Sequence, residues 1–342
     1  MDVPTIQADN WEKIRRLLCD LQDTLLATIL RERGNQSHSL HEVAHVTSAD
    51  VIYQIDKISE DTIIEWFNDS WPQAWSVEIV MEGNEDEESL TFPKRTPIEQ
   101  TQFKCILDPI DGTRGIMYDK RSAWILGGIA PQLGSETSLQ DIVVGAMTEL
   151  PTTKQWRADQ LSAVAGGPLI SDAIDVRSMT HNPIHLRPSE ARDFNHGFSA
   201  IGRFFPDGLE LLARIEAELW RRVDSTERSF PMIFSDQYLS TGGQFYELMA
   251  GHDRFLADLR PAVFKQLGLG DAMTCHPYDI AFMPVLTASG VIAENPITGG
   301  PVDAPLDTTS PVCWAGYANA DLQAMVSPHL RDILMETCPK AF

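Results

Sequence analysis

Two aspartates that follow an apolar segment are the residues of this sequence best suited to chemistry. Residues 103–107 predict a buried strand, and the chain continues directly as Asp108-Pro109-Ile110-Asp111-Gly112-Thr113. Carboxylate oxygens are ligands that Mg²⁺ prefers, and the Ile110 carbonyl lies between the two carboxylates. Gly112 lets the backbone approach a ligand closely, and a turn or helix beginning there would direct N–H groups at an anion. A cation site beside an anion site suits a phosphate ester, although the same residue types also occur together in ordinary turns.

Two more carboxylates occupy positions where they could complete such a site. Residues 77–81 predict a short strand that ends at Glu82, and Asp279 begins an apolar segment that predicts a helix. Asp279 also fits an ordinary helix N-cap, because Asp favours that position. A single site therefore requires a fold that brings these distant carboxylates together.

These segments, in this order, resemble the inositol monophosphatase family. That family has a strand-end Glu, then Asp-Pro-Ile/Leu-Asp-Gly-Thr, then Trp-Asp-x-x-Ala before a glycine-containing turn. Residues 50–60, with Asp50, Asp56 and Glu60, are similar to the family's helix start Asp-x-Val-Thr-x-x-Asp-x-x-x-Glu. The resemblance runs from about residue 10 to about residue 320. It implies a layered αβαβα sandwich of the sugar-phosphatase type, of α+β or α/β class, with the active site between its two halves.

The resemblance also implies a set of metal ligands. Glu82, Asp108 and the Ile110 carbonyl would hold one ion, and Asp108, Asp111 and Asp279 would hold a second. The expected ion is Mg²⁺, with two or three ions per site, and Mn²⁺ is a possible substitute. Many relatives carry a second Glu where this chain has Gly83. One ligand of a third ion is therefore missing or is replaced from the acidic loop at residues 85–88, and lithium sensitivity is an open question for the same reason.

Catalytic roles follow from the same match. The Thr113 hydroxyl would orient the attacking water, and Asp56 would accept the hydrogen of that hydroxyl. Glu82, or a further acid, would accept a proton from the water. Asp56 taken alone fits a solvated carboxylate on a helix better than a site residue.

Substrate contacts are implied at four residues. The N–H groups of Gly112 and Thr113 would hold the phosphate. Residues 240–251 are similar to the family's Gly-Ser/Thr-Ala-Ala helix, and by that match Gly243 and Asp258 would face the hydroxyl groups of the substrate. Asp258 also fits an ordinary aspartate at the end of a surface strand.

The elements that must position these groups divide the chain into two halves. Apolar residues from Trp11 to Ile29 recur at steps of three and four, which predicts a helix that ends near Gly34. Strand-like segments dominate thereafter and indicate an α+β first half, residues 1–170, that carries the metal motifs. Residues 171–342 indicate an α/β second half that completes the active site. The predicted strands cover residues 77–81, 103–107, 123–130, 142–148, 154–158, 196–203, 255–259 and 291–294, and the other predicted helices cover residues 52–67, 209–222, 245–251, 278–289 and 321–336.

Composition narrows the classes of partner. The 342 residues include 27 basic and 49 acidic side chains, which give a formal net charge of −22. Such a surface repels nucleic acid and anionic membranes, and an anionic substrate then favours metal dependence. The five cysteines contain no C-x-x-C, which argues against a zinc site or a disulfide framework. No apolar run reaches the length of a membrane span and no signal peptide begins the chain, so a soluble cytoplasmic protein is expected.

The sequence thus predicts a Mg²⁺-dependent phosphatase of a small phosphate monoester, with an inositol monophosphate as the default substrate. A 3′-phosphoadenosine nucleotide phosphatase or a sugar bisphosphatase of the same superfamily is the alternative enzyme. A non-catalytic metal-binding interaction module is the alternative of another class. Dimers are common in the family, which makes a homodimer possible here.

Overall fold

A computed structural model describes residues 8–35, 43–46, 51–83, 90–223 and 232–342. Asp50 and the acidic loop at residues 85–88, both named above, lie outside the described residues. Among the described residues, no helix combines the length and the apolar character needed to cross a membrane.

Helices begin and end close to their predicted positions in most cases. The α-helices are α1 (Ala8–Asn35), α2 (Gln54–Asp69), α3 (Thr113–Met117), α4 (Leu209–Val223), α5 (Thr241–Met249), α6 (Arg260–Leu267), α7 (Met283–Ser289) and α8 (Ala320–Thr337). Short 3₁₀ helices cover Ile98–Gln100, Gly134–Glu136, Leu139–Asp141, Pro277–Ile280 and Pro339–Ala341. The predicted stripe on α1 is confirmed, because its apolar residues from Ile14 to Ile29 are buried.

The strands form one large sheet, one smaller sheet and a hairpin. Their bounds are β1 (Val43–Val46), β2 (Val51–Tyr53), β3 (Val77–Met81), β4 (Leu90–Phe92), β5 (Phe103–Asp111), β6 (Ala123–Pro131), β7 (Val144–Leu150), β8 (Arg157–Val164), β9 (Ile170–Asp175), β10 (Thr180–Pro183), β11 (Gly197–Ile201), β12 (Ile233–Phe234), β13 (Asp253–Asp258), β14 (Ile292–Glu294) and β15 (Trp314–Tyr317). The large sheet has the order β10-β9-β8-β7-β6-β5-β3-β4, and the smaller sheet has the order β12-β11-β13-β15-β14. In the large sheet only the β3–β5 pair is parallel.

The described chain forms two compact units. The first contains Met1–His185 together with two later segments, His276–Ala288 and Ala304–Ser310. Its core lies where α1 and α2 pack on one face of the large sheet, and it includes Phe67 and Phe103. The second unit contains Leu186–Cys275, Ser289–Asp303 and Pro311–Phe342. Its core is formed by the smaller sheet with α4, α5 and α8, and includes Trp314.

Several predicted elements differ from the structure. Residues 154–156 form a turn, and β8 begins only at Arg157. Residues 170–183, for which no element was predicted, form β9 and β10 of the large sheet. The helix predicted at residues 278–289 is interrupted, because a 3₁₀ helix covers Pro277–Ile280 before α7 begins. Neither α6 nor β15 was predicted.

Candidate active site

A β-bulge near the end of β5 directs two aspartates to the same side. Asp108 pairs with Leu126 of β6 and Asp111 pairs with Trp124, so three steps on β5 face two steps on β6. Residues three apart in a regular strand point to opposite faces, and one extra residue restores a common face. Pro109 lies in the bulge and has no N–H group to donate to a ladder. The Ile110 N–H donates instead to Asp108 Oδ1 at 2.9 Å.

Asp279 reaches these two carboxylates on a short segment that returns to the first unit. It occupies the 3₁₀ helix at Pro277–Ile280, where its Oδ2 accepts the His276 N–H at 2.6 Å. The buried His276 ring lies 3.2 Å from the Ser310 carbonyl through Nδ1, which joins the two returning segments. Asp279 is therefore held as the third residue of a capping box whose N-cap is His276, so the alternative that Asp279 is itself an N-cap is wrong.

Two facing glycines give this returning segment room to lie on the large sheet. Gly128 of β6 pairs with Gly145 of β7. A Cβ at Gly128 would overlap the carbonyl oxygen of Ala281, and a Cβ at Gly145 would lie 3.1 Å from the backbone of Phe282. The glycine pair thus permits direct contact between sheet and backbone only two or three residues after Asp279. These glycines were not predicted to matter, although Gly128 follows Gly127 in an apolar strand, and glycine in a strand is a signal of close backbone approach.

The three carboxylates form one acidic cluster. Oxygen atoms of Asp108, Asp111 and Asp279 lie within 4.8 Å of one another. Asp108 and Asp111 are 1% and 6% exposed, and Asp279 is partly exposed. Burial, followed by the charges of Asp111 and Asp279, raises the pKa of Asp108 well above its ordinary value of 3.8. Like charges this close are stable together only when a proton or a cation lies among them.

Glu82 adjoins this cluster from the end of β3. Its N–H donates to the Leu107 carbonyl at 3.3 Å, and its side chain forms a hydrogen bond with Asp108 that lowers the pKa of Asp108. Gly83 follows with φ of 88°, in the left-handed region that favours glycine. The residue that departs from the family pattern therefore turns the chain immediately after the acid.

A second group of predicted residues meets at Thr113. Its Oγ1 lies 2.8 Å from the Ile110 carbonyl oxygen and 3.2 Å from Asp56 Oδ1. Because a hydroxyl has one hydrogen, Thr113 donates to only one of these acceptors at a time. Asp56 lies in the first turn of α2, so two distant segments of the first unit contribute to this contact. Gly112 precedes Thr113 with φ of 95° and caps α3.

The two predicted substrate contacts of the second unit already have protein partners. The Gly243 N–H donates to the Ser240 hydroxyl at 2.9 Å, and a Cβ at Gly243 would overlap the Tyr238 ring. Asp258 is fully buried, and the Arg260 side chain donates to both of its carboxylate oxygens at 2.5 to 3.0 Å. This arginine was not predicted as a partner, although it lies two residues beyond Asp258.

The donor set of the acidic cluster fits a hard divalent cation. All three groups offer carboxylate oxygen, and two of them are buried. Burial first, and then repulsion from Asp111 and Asp279, raises the pKa of Asp108, and a bound cation would offset both effects. The Ile110 carbonyl has a second lone pair beyond the one that Thr113 uses. Beside the three aspartates, Glu82 is hydrogen-bonded to Asp108, and Ile110 lies between Asp108 and Asp111 in the bulge.

Comparison with known proteins identifies the fold. No family model matches the sequence, and no curated protein matches it. Among solved structures, the extragenic suppressor protein suhB from Bartonella henselae matches with a TM-score of 0.63 at 15% identity, covering 93% of this chain and 98% of that one. The Leishmania major fructose-1,6-bisphosphatase matches with a TM-score of 0.65 at 13% identity, covering 92% and 94%. Inositol monophosphatase II from Staphylococcus aureus MSSA476 matches with a TM-score of 0.59 at 15% identity, covering 96% and 99%.

At identities of 13% to 15% these likenesses establish the fold and not the activity. They extend over nearly the whole of each chain, so they are not confined to one sheet or one motif. The resemblance drawn from the motifs is confirmed at this level, as is the predicted fold class. The chain therefore has the fold of the inositol monophosphatase and fructose-1,6-bisphosphatase structures.

Proposed function

We propose that this chain is a phosphatase of the inositol monophosphatase family that hydrolyses a small phosphate monoester, with Mg²⁺ as its cofactor. The observation that carries the proposal is the convergence of Asp108, Asp111 and Asp279 within 4.8 Å. Asp279 is distant in sequence from Asp108 and Asp111, and three separate features, a bulge, a capped turn and a glycine pair, bring the three carboxylates together. A chance cluster of surface acids would not be buried in this way.

The chain's own residues would divide the work between binding and orientation. Asp108, Asp111 and Asp279, with Glu82 and the Ile110 carbonyl, would hold two or three ions of Mg²⁺ or Mn²⁺. The bound cations would neutralise phosphoryl charge and acidify a water molecule. Glu82, at the rim of the cluster, would accept a proton.

Thr113 would orient the attacking water. When Asp56 accepts the hydrogen of its hydroxyl, both lone pairs of Thr113 Oγ1 can accept a hydrogen from water. The N–H groups of Gly112 and Thr113, at the start of α3, would hold the phosphate. The substrate contacts at Gly243 and Asp258 stay predictions. In the structure the Gly243 N–H donates to Ser240, and Asp258 accepts from Arg260.

A substrate panel with and without Mg²⁺ tests the proposal. The panel contains an inositol monophosphate, fructose 1,6-bisphosphate and a 3′-phosphoadenosine nucleotide, and release of inorganic phosphate is measured. The first compound is expected to be hydrolysed only with Mg²⁺. Preference for another member of the panel would favour the corresponding alternative enzyme. Metal binding without turnover of any ester would instead indicate a binding module.

Asp111→Asn tests the metal assignment. Loss of one charged ligand is expected to reduce Mg²⁺ affinity and turnover by about 100-fold or more, since even outer partners of metal ligands cost 10- to 100-fold. Asp61→Asn, which removes the same charge from an exposed position on α2, is the matched control. Circular dichroism checks that both variants fold. Unchanged turnover in a folded Asp111→Asn variant would contradict the metal site.

A further inference from the structure

A partly buried arginine and an aspartate tie the segment after α3 to the rest of the first unit. Asp119 Oδ1 accepts the Thr153 N–H at 2.7 Å and Arg33 Nη2 at 3.1 Å, and Asp119 Oδ2 accepts the Thr153 hydroxyl at 2.6 Å. Arg33 Nη1 donates to the Pro151 carbonyl at 2.7 Å. We name Arg33, Asp119, Pro151 and Thr153 the Asp119 clamp. It joins the last turn of α1, the turn between β7 and β8, and the chain beyond α3.

The backbone at the clamp adopts a conformation that needs external support. Asp119 has φ of 50°, in the left-handed region that few non-glycine residues occupy. Its N–H donates to the Ile116 carbonyl at 3.0 Å, and the Lys120 N–H donates to the Gly115 carbonyl at 2.9 Å. A strained residue of this kind persists when surrounding contacts fix it, and such residues cluster near functional sites.

The clamp supports a helix that is too short to be stable alone. The helix α3 has five residues, whereas isolated helices are marginal below about 12 residues. Thr113 opens α3, and Asp119 follows its C-cap residue Tyr118. Displacement of one end of so short a helix is transmitted to the other end, because Ile116 bonds both to Gly112 and to Asp119.

Arg33, the partner of Asp119 in the Asp119 clamp, is well suited to hold α3 in place. Arg33 belongs to the 28-residue helix α1, and its side chain is only 10% exposed. Hydrogen bonds from Thr153 lower the pKa of Asp119, so the carboxylate is ionised at neutral pH and the ion pair is formed. The acidic cluster is held by other elements, namely β5 and the returning segment at residue 279.

We propose that Asp119 and Arg33 are positioning residues that hold α3 so that the Thr113 hydroxyl meets Asp56. The inference rests on the proposed function for its effect on turnover, but its effect on α3 is independent of any activity. It assigns a role to two residues that touch neither the phosphate nor the cation. Loss of the clamp is expected to lower kcat while leaving the affinity for Mg²⁺ unchanged.

The test uses two variants and a matched control in the full chain. Asp119→Gly removes the carboxylate and keeps the left-handed backbone accessible, and Arg33→Met removes the donor while keeping the apolar stem. Arg31→Met, two residues earlier on α1 and 64% exposed, is the control. Each clamp variant is expected to lower kcat about tenfold to 100-fold with KM changed less than about threefold, because small misplacements of a catalytic group cost this much.

A double variant distinguishes one clamp from two unrelated effects. Arg33→Met and Asp119→Gly together are expected to lower kcat about as much as either alone, since residues of one network are not additive. Asp119→Asn, which keeps an acceptor oxygen and tolerates the left-handed backbone, is expected to retain most of kcat. Additive losses, or equal loss in Asp119→Asn and Asp119→Gly, would overturn the inference.

Amide hydrogen exchange tests the Asp119 clamp by a measurement that does not depend on turnover. Amides of residues 114–119 are expected to exchange about tenfold faster in Asp119→Gly than in the wild type, while those of α1 and β5 are unchanged; the loss of a hydrogen bond to a charged group accounts for this size. Unchanged exchange in residues 114–119 would overturn the positioning role. Absence of phosphatase activity in the wild type, with exchange altered as expected, would overturn the proposed function alone.

Discussion

Two residues without side chains decide how closely the third aspartate approaches the sheet. Gly128 and Gly145 face each other across β6 and β7, and the backbone of residues 281–282 lies against them. A methyl group at Gly128 would force this segment away from the sheet, whereas one at Gly145 would be tight against Phe282 and Pro284 and would require a small shift. Because the segment carries Asp279, a packing requirement at a glycine becomes a condition on the geometry of the acidic cluster.

Gly128→Ala is expected to destabilise the protein by about 1–3 kcal/mol, the usual cost of overpacking, and to weaken Mg²⁺ binding. The added Cβ would overlap the rigid carbonyl of Ala281. The measurements are denaturant unfolding and calorimetric titration with Mg²⁺. Gly127→Ala is the matched control, because its Cβ would meet Leu107 Cδ2 at 2.9 Å and Leu18 Cδ1 at 3.1 Å, the ends of adaptable side chains. Equal losses of metal affinity in the two variants would contradict this role for Gly128.

At the scale of elements, the helices and strands with a clear apolar period were predicted correctly from the sequence. The buried stripe of α1, the helix α4 and the strand β3 agree with the structure because each carries its pattern within a few residues. The strands β9 and β10 were missed because both are polar, with β10 at the edge of the large sheet and β9 next to it, where one-sided burial is weak. Edge strands owe their conformation to the neighbouring strand and not to their own pattern.

The bulge in β5 shows a second limit of prediction from sequence. The strand was expected to end at Leu107, whereas it continues to Asp111 with Pro109 and Ile110 in the bulge. Pro109 was a usable sign, since proline inside a strand marks an edge or a bulge. Which face each aspartate takes could not be read from spacing alone, because that depends on pairing with β6.

At the scale of a single strand, Glu149 of β7 is expected to make the stability of the protein depend on pH. It lies beside Trp124, which in turn pairs with Asp111, so it is on the same side of the sheet as the acidic cluster. Burial, as the largest cause, raises the pKa of Glu149 from 4.5, against hydrogen bonds from Gln155 and Ser122, and the charge of Asp159 adds to the rise. The stability contribution of a carboxyl with a raised pKa is full below about 4.5. It is lost as pH rises through the folded-state pKa.

The free energy of unfolding of Glu149→Gln, relative to that of the wild type, is therefore expected to be higher at pH 8 than at pH 4. Each unit of pKa displacement corresponds to about 1.4 kcal/mol in the free energy of unfolding. Denaturant unfolding of both proteins at the two pH values measures the difference. Glu65→Gln, at an exposed position of α2, removes the same charge and is the control. A difference between Glu149→Gln and the wild type that does not change with pH would contradict the effect of burial.

At the scale of the whole molecule, the candidate site requires the chain to return on itself. The first unit takes most of its residues from Met1–His185 but receives Asp279 and Ser310 from two later segments. No spacing rule predicts such a return, because the intervening residues form a second unit. The motif resemblance implied it, and the structure places Asp279 beside Asp108. The pairing of Asp258 with Arg260, in contrast, depends on local packing that neither motif nor composition revealed.

The net charge of −22 sets a final expectation for the whole molecule. If the substrate is a phosphate ester, its approach is opposed by the overall field, which salt weakens as the screening length falls from about 30 Å at 0.01 M to about 10 Å at 0.1 M. We therefore expect kcat/KM to rise severalfold over this range of NaCl, with kcat nearly constant, the reverse of an electrostatically steered enzyme.

The measurement is steady-state phosphate release at each salt concentration, with Mg²⁺ verified to be saturating throughout. Sucrose at matched osmolality is the control, because it changes solvent activity without screening charge. The rise should be larger for a bisphosphate than for a monophosphate, since repulsion scales with the charge of the substrate. A fall in kcat/KM with salt would mean that a locally positive potential governs substrate capture in spite of the excess of 49 acidic over 27 basic residues.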